Sequence, residues 1–208
     1  ELYRELYDDF NLRPYPAGNS GCQMGGWFKK EINSVDDLQG LKMRIPGFGG
    51  EVLRRNGGTP VAMPGAEIFT ALQTGTLDAA EWIGPYNDLT FGFHKVAKHY
   101  YYPGWHEGGP TLECIVNKEA YESLPKDLQT IVDIAASATN DSMLAEFMAR
   151  NAFALEQIEQ MDDIKISPFP KDVMDAFKES AEEIIAEIID KDPKFAKIYK
   201  SFSDYKKT

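Results

Sequence analysis

Two charged residues stand where the surrounding pattern is otherwise apolar. In the stretch LKMRIPGFGGEVLRRNGGTPVAMPGAEIFTALQTGTLDAAEWIGP, residues 41–85, Arg44 lies between Met43 and Ile45 at the end of one apolar run, and Glu81 ends another. A guanidinium at a strand end in apolar surroundings requires a carboxylate, and its planar fork matches one bidentately. That carboxylate is either a ligand's or an internal salt-bridge partner's. Glu81 follows Ala79 and Ala80 and precedes Trp82, so small residues clear space beside a carboxylate next to a large ring. Buried and unpaired it would be costly, so it requires a cation, either an arginine or a metal ion.

Glu107, in the turn Trp105-His106-Glu107-Gly108-Gly109, offers a second carboxylate, and Gln23, among four nearby glycines, offers a neutral oxygen. Two carboxylates, an amide oxygen and a backbone carbonyl form a hard-oxygen set, which suits Na⁺ or Ca²⁺ better than zinc. His94, His99 and His106 form no HExxH pattern and are expected at solvated or core-edge positions. There is no GxSxG, P-loop or CxxC, so catalysis has no motif.

The elements that must position these residues follow from periodicity and punctuation. Residues 1–10 read as the end of a helix, 12–15 as a short strand, and 34–40 as a short helical turn closed by Gly40. Strands are expected at 42–45, 61–63 and 77–83, with helices at 48–56 and 67–74 between them. This alternation predicts an α/β sheet, in which ligands sit outside the carboxyl ends of the strands. Thr111 to Val116 reads as a buried strand. From Lys126 to about Met161 there is neither proline nor glycine, and one helix spanning about 50 Å is expected. A strand at 164–169 and helices at 172–190 and 193–205 complete the chain.

The 208 residues are 43% hydrophobic and carry a net charge of -11. That suits a folded core and argues against a nucleic-acid partner, since no basic stripe offsets the repulsion from phosphates. No apolar run reaches the roughly 18 residues of a membrane span. Cys22 and Cys114 lack metal-like spacing and are expected unpaired.

SVDDLQGLKMRIPG, GGTPVAM and EIFTALQTGTLDAAEW resemble the signature region of the extracytoplasmic solute-binding proteins of TRAP (tripartite ATP-independent periplasmic) transporters. QMGGWF, EWIGPYND, YYYPGWHEGGPT and NKEAYESLP are similar to the branch that binds 2-oxo acids and related small monocarboxylates with a metal ion. The resemblance covers nearly the whole chain. It implies a two-lobed, periplasmic-binding-protein-like α/β fold with an incomplete first lobe and a long lobe-spanning helix. On that plan residues 1–20 are a first-lobe remnant, and 21–107 form the second lobe with the ligand site. Residues 108–147 return to the first lobe and begin the long helix, and 148–208 are second-lobe C-terminal helices. Family members are longer, so the chain is expected to begin partway through the first lobe.

The resemblance also implies site roles: Arg44 clamps the ligand carboxylate, while Gln23, Trp82 (through its carbonyl) and Glu107 lie around ligand and metal together with Glu81. It implies a periplasmic, non-enzymatic protein that captures a pyruvate- or lactate-like acid with Na⁺ or Ca²⁺ and delivers it to the membrane permease subunits, with a homodimer as a further expectation. A metal-dependent enzyme acting on a 2-oxo acid and the ligand-sensing domain of a receptor are the alternatives.

Overall fold

The computed structural model describes residues 2–207. In chain order its elements are α1 (Leu2–Asp8), β1 (Leu12–Asn19), β2 (Gly26–Phe28), β3 (Lys42–Arg44), α2 (Gly47–Arg55), β4 (Thr59–Val61), α3 (Gly65–Thr74), β5 (Ala79–Ala80), α4 (Pro85–Phe91), β6 (His99–Tyr102), β7 (Thr111–Asn117), α5 (Lys118–Glu122), α6 (Lys126–Glu159), β8 (Lys165–Pro168), α7 (Lys171–Lys191) and α8 (Pro193–Tyr205). Short 3-10 turns cover Val35–Leu38 and Phe93–Lys95. Glu1, which the sequence places in the first helix, lies outside the described residues.

The chain forms two compact units. One comprises the chain up to Ser20, Pro110–Glu146 and the chain from Ile185 on; the other comprises Gly21–Gly109 and Phe147–Ile184. Helix α6 therefore gives its first part to one unit and its last turns to the other. The sequence reading groups 148–208 as one block, whereas this division moves residues from Ile185 on into the unit of α1. The physical reason is local: Lys194 pairs with Asp9, Lys197 with Glu5 at 2.7 Å, and Ile198 shares an apolar pocket with Leu2 and Leu6.

In the first unit, β1 and β7 form an antiparallel pair running from Leu12↔Asn117 to Asn19↔Thr111, with an irregularity between Pro16 and Gly18. The strand at 111–117 is not buried as expected: Leu112 and Ile115 are about half exposed. β7 has β1 as its neighbour in a two-stranded sheet, and Glu113 within the apolar run receives the hydroxyls of Tyr3 and Tyr7. Asp133 on α6 ties the unit together by accepting the hydroxyls of Tyr15 (2.7 Å) and Tyr121 (2.9 Å), with Arg13 at 3.5 Å.

The second unit is built on a six-stranded sheet of order β4-β3-β5-β2-β6-β8. β3 is parallel to β4 and β5, β2 is antiparallel to β5 and β6, and β6 is parallel to β8. Five strands thus run one way and β2 runs against them. Parallel neighbours require crossovers, and α2 and α3 supply them; Gly75, at φ 80°, ends α3 in the left-handed conformation that glycine adopts without penalty. The core gathers Trp27, Ile68, Leu72, Leu77, Ala80, Phe93, Tyr100 and Ile158, all essentially inaccessible. The expected strand at 77–83 pairs only at Ala79 and Ala80, because the chain leaves the ladder beyond them to turn into the site.

Candidate functional site

The reversed direction of β2 decides what meets at one sheet edge. Arg44 is the last residue of β3, Glu81 follows the end of β5, and His106 and Glu107 follow the end of β6. Gln23 precedes the start of β2 by three residues, so the antiparallel strand enters where its neighbours leave. Backbone hydrogen bonds fix the three loops side by side: Glu81 N donates to Arg44 O (3.0 Å), Met24 N to Ile83 O (3.1 Å) and Gly104 N to Gln23 O (3.2 Å).

The side chains form one continuous chain of contacts. Nη1 of Arg44 donates to the Glu81 carbonyl at 2.7 Å and to its carboxylate Oε2 at 3.1 Å, and Nε reaches Met63 O at 3.4 Å. Both side chains are almost fully covered, 11% and 3% exposed, so the alternative kept open for Arg44, an internal carboxylate partner, is present here. The other nitrogen, Nη2, has no hydrogen-bond partner among the described residues. Burial pulls the guanidinium below its usual range, against the field of Glu81, which raises it.

Oε1 of Glu81 lies 3.3 Å from His106 Nε2, which lies 3.0 Å from Gln23 Oε1. Gln23 Nε2 in turn donates to Glu107 Oε2 at 3.2 Å. The carboxylate of Glu107 accepts only, so the amide must present its nitrogen there and its oxygen to His106; Nε2 of His106, facing two acceptors, carries the hydrogen. His106, of intermediate burial as a core-edge residue is, also links Glu81 to Gln23, a place that the sequence reading does not give it. The available signal was its place beside Glu107 in a glycine-rich turn.

Trp82 lays its ring over the Arg44 guanidinium, 4.9 Å from Cζ to the ring centroid. Gly65 makes room for it: a Cβ there would stand 2.6 Å from the indole. The backbone at Trp82 is equally telling. The Glu81 carbonyl is held by Arg44 and the Ile83 carbonyl by Met24. The Trp82 carbonyl between them accepts no hydrogen bond among the described residues, which leaves both of its lone pairs available.

These oxygens fit a hard cation. No three His, Cys, Asp or Glu side chains are grouped to hold a metal by themselves among the described residues, so the set depends on the Gln23 amide oxygen and the Trp82 carbonyl beside the two carboxylates. No lysine or arginine pairs with Glu107 among the described residues. Below the site, Asp88 on α4 is buried and accepts from Trp27 Nε1 (3.1 Å), Tyr100 Oη (2.8 Å) and Ile83 N (3.3 Å). Nothing in its sequence context, PYNDLTF, distinguishes it from a surface aspartate of a helix first turn. The two cysteines are both free thiols, as expected.

Comparison with known proteins sets this geometry in a family. The family model for DctP, bacterial extracellular solute-binding protein family 7, matches residues 1–192. A monocarboxylate 2-oxoacid-binding periplasmic protein of Nostoc sp. is 45% identical over 204 residues, which are 98% of this chain and 56% of that protein. Two TRAP periplasmic solute-binding proteins of known structure superpose closely. The one from Colwellia psychrerythraea, with bound calcium and pyruvate, is 48% identical with a TM-score of 0.94 over 98% of this chain and 62% of that one. The one from Pseudoalteromonas atlantica, with bound sodium and pyruvate, is 46% identical with a TM-score of 0.92 over the same shares. The chain thus spans between half and two thirds of the length of these relatives. It has their mixed α/β architecture and long helix, and it belongs to the DctP family, family 7 of the bacterial extracellular solute-binding proteins.

Proposed function

We propose that this chain is the solute-capturing component of a TRAP transporter in the periplasm, taking up a small 2-oxo or 2-hydroxy carboxylate together with Ca²⁺ or Na⁺ for delivery to membrane permease subunits. The observation that carries the reading is the Trp82 carbonyl, unpaired among the described residues between two paired neighbours, next in sequence to Glu81, whose carboxylate joins through His106 to Gln23 and Glu107 at the edge where Arg44 emerges. In this reading Nη2 of Arg44 takes the ligand carboxylate. Gln23 Oε1, the Trp82 carbonyl, Glu81 and Glu107 hold the cation, and a ligand oxygen at carbon 2 completes its shell. The cation supplies the positive charge the site lacks: the single charge of Arg44 is already balanced by Glu81, so even with Nη2 on the ligand the charges of Glu107 and the incoming carboxylate are left uncompensated.

The pyruvate, calcium and sodium bound by the two similar structures support the same chemistry. The solute leaves unchanged; an enzyme acting on a 2-oxo acid would use the same carboxylates but would convert the ligand. Calorimetric titration of pyruvate and propionate into exhaustively chelated protein, and again with Ca²⁺ or Na⁺ restored, tests the reading. Pyruvate is expected to bind only with the cation and propionate weakly throughout. Equal affinities with and without cation would remove the metal from the site, and appearance of a new product by mass spectrometry would replace binding with turnover.

A further inference from the structure

Asp88 has no part in the reading above, yet it is a poor choice for a residue that merely fills space. It is 1% exposed, and no arginine or lysine pairs with it among the described residues. Gly84 caps α4 and Pro85 opens it, and Asp88 N bonds back to Gly84 O at 3.0 Å, which turns the side chain inward against Trp27 and Tyr100. Those rings stack at 4.1 Å, and both donate to the same carboxylate oxygen, Oδ2. Burial pushes the carboxyl up to about 7, while the donors oppose the shift. Three donors and no acceptor converge on it, an arrangement that suits the ionised form.

The consequence lies at the other oxygen. Oδ1 accepts from Ile83 N–H, and that N–H shares one peptide group with the Trp82 carbonyl. A trans peptide is planar, with N–H and C=O pointing in opposite directions, so a carboxylate that fixes the N–H from the core side also fixes the carbonyl on the far side. On either flank the chain is tied by different partners, Arg44 at the Glu81 carbonyl and Met24 at the Ile83 carbonyl. Among the described residues, only Asp88 bonds to the peptide plane between them.

We propose that Asp88 is a positioning residue for the cation: through the Ile83 N–H it locks the Trp82–Ile83 peptide so that the Trp82 carbonyl is presented as an oxygen ligand. Trp27 and Tyr100 hold Asp88 in turn, so the lock extends from the core of the unit to the site edge. This inference rests on the proposed function and adds to it a residue that touches neither metal nor solute. Partners one step removed from a metal typically change its affinity by roughly 10- to 100-fold when altered.

The test uses the full chain with CaCl2 alone and then with pyruvate. Asp88→Asn places an amide among donors: its NH2 must face either the Trp27 N–H or the Ile83 N–H, neither of which can accept. Its calcium affinity, by calorimetry without pyruvate, is expected to fall at least tenfold, whereas pyruvate affinity at saturating calcium returns to within about threefold of the unsubstituted protein. Trp27→Phe removes the conflicting indole donor. In the double variant Asp88→Asn, Trp27→Phe the amide can give its NH2 to Tyr100 Oη and keep its oxygen on Ile83 N–H, so calcium affinity is expected to recover to within about threefold of Trp27→Phe alone. That recovery decides the matter even if the single variant folds poorly. Calcium binding unaltered by Asp88→Asn, a folded double variant without recovery, or parallel losses of calcium and pyruvate affinity that track thermal stability would overturn the inference. Uptake of neither calcium nor sodium by the unsubstituted protein, with or without pyruvate, would overturn the proposed function and this inference with it.

Discussion

Replacing Arg44 with lysine separates the two jobs that the proposed function assigns to one guanidinium. Nη1 neutralises and anchors Glu81 through two hydrogen bonds, at 2.7 and 3.1 Å, while Nη2 remains for a ligand carboxylate. A lysine ammonium keeps the charge but gathers its donors on one nitrogen, so it can serve Glu81 or reach the solute and cannot form the same two-sided bridge. The loss expected at the ligand is one charge-assisted hydrogen bond, about 1.5–3 kcal/mol. At 1.4 kcal/mol per decade this is roughly a 10- to 100-fold weaker pyruvate affinity. Stability should change little, because Glu81 retains a cation. Arg44→Met, in contrast, strands a carboxylate that is 3% exposed, and breaking a buried pair from one side costs about 3–5 kcal/mol. Calorimetry at saturating calcium reads the first effect and denaturant unfolding the second. Lysine-variant affinity within twofold of the unsubstituted protein would refute the role of Nη2, and a methionine variant of undiminished stability would refute the pairing with Glu81.

Gly65→Ala puts a methyl 2.6 Å from the Trp82 ring and must push the indole off Arg44. The lost cation–π contact is worth about 0.5–2 kcal/mol, so pyruvate should bind roughly 2- to 30-fold more weakly; unchanged affinity would show that the stacking does not matter. In the first unit, burial works to raise the Asp133 carboxyl, but the hydroxyls of Tyr15 and Tyr121 and the charge of Arg13 hold it below its ordinary value. A depressed folded-state pKa contributes stability above the unfolded value, lost as pH falls through the folded one. Melting temperatures measured as the pH is lowered from about 5, through the ordinary aspartate value near 4, should therefore fall less steeply for Asp133→Asn than for the unsubstituted protein, and identical slopes would remove Asp133 from the acid response.

How far the sequence reveals the site depends on the range of the interaction involved. Arg44 and Glu81 stand out because each is a charge inside a short apolar run, a signal carried by three or four neighbours. Gln23 stands out through glycines that let backbones approach, and such an approach is present at Gly26, where a Cβ would meet the Ala80 carbonyl at 2.7 Å; Glu107 stands out as a carboxylate in an irregular turn rich in glycine and proline. His106 is not legible because spacing templates for histidine look for partners within one helix, whereas its partners Gln23 and Glu81 come from two other loops. Asp88 leaves no local trace at all. In PYNDLTF it reads as an acidic residue near a helix start, and only the long-range pairing of β2 with β6, which stacks Trp27 on Tyr100, makes its surroundings a pocket of donors.

The same distinction explains which elements were legible. The long helix α6 and the terminal helices α7 and α8 declare themselves by length without a breaker, and β3 and α3 by their punctuation, whereas the strand expected at 61–63 lies two residues earlier, at Thr59–Val61, where it pairs with β3. β2 and β6 do not: one is three residues, Gly26–Phe28, the other the tail of an aromatic run, His99–Tyr102. Neither alternates clearly, and each is a strand because the other is there to pair with it. Their pairing nevertheless determines the chemistry. Had β2 run parallel to β5 and β6, Gln23, three residues before its start, would lie at the opposite edge from Arg44, Glu81 and Glu107. Reversing that single strand brings an amide oxygen to the edge where the two carboxylates and the arginine emerge, and it lets Met24 hold the Ile83 carbonyl, so that among the three consecutive carbonyls of residues 81–83 the one at Trp82 is left without a hydrogen bond among the described residues, as the proposed cation site requires.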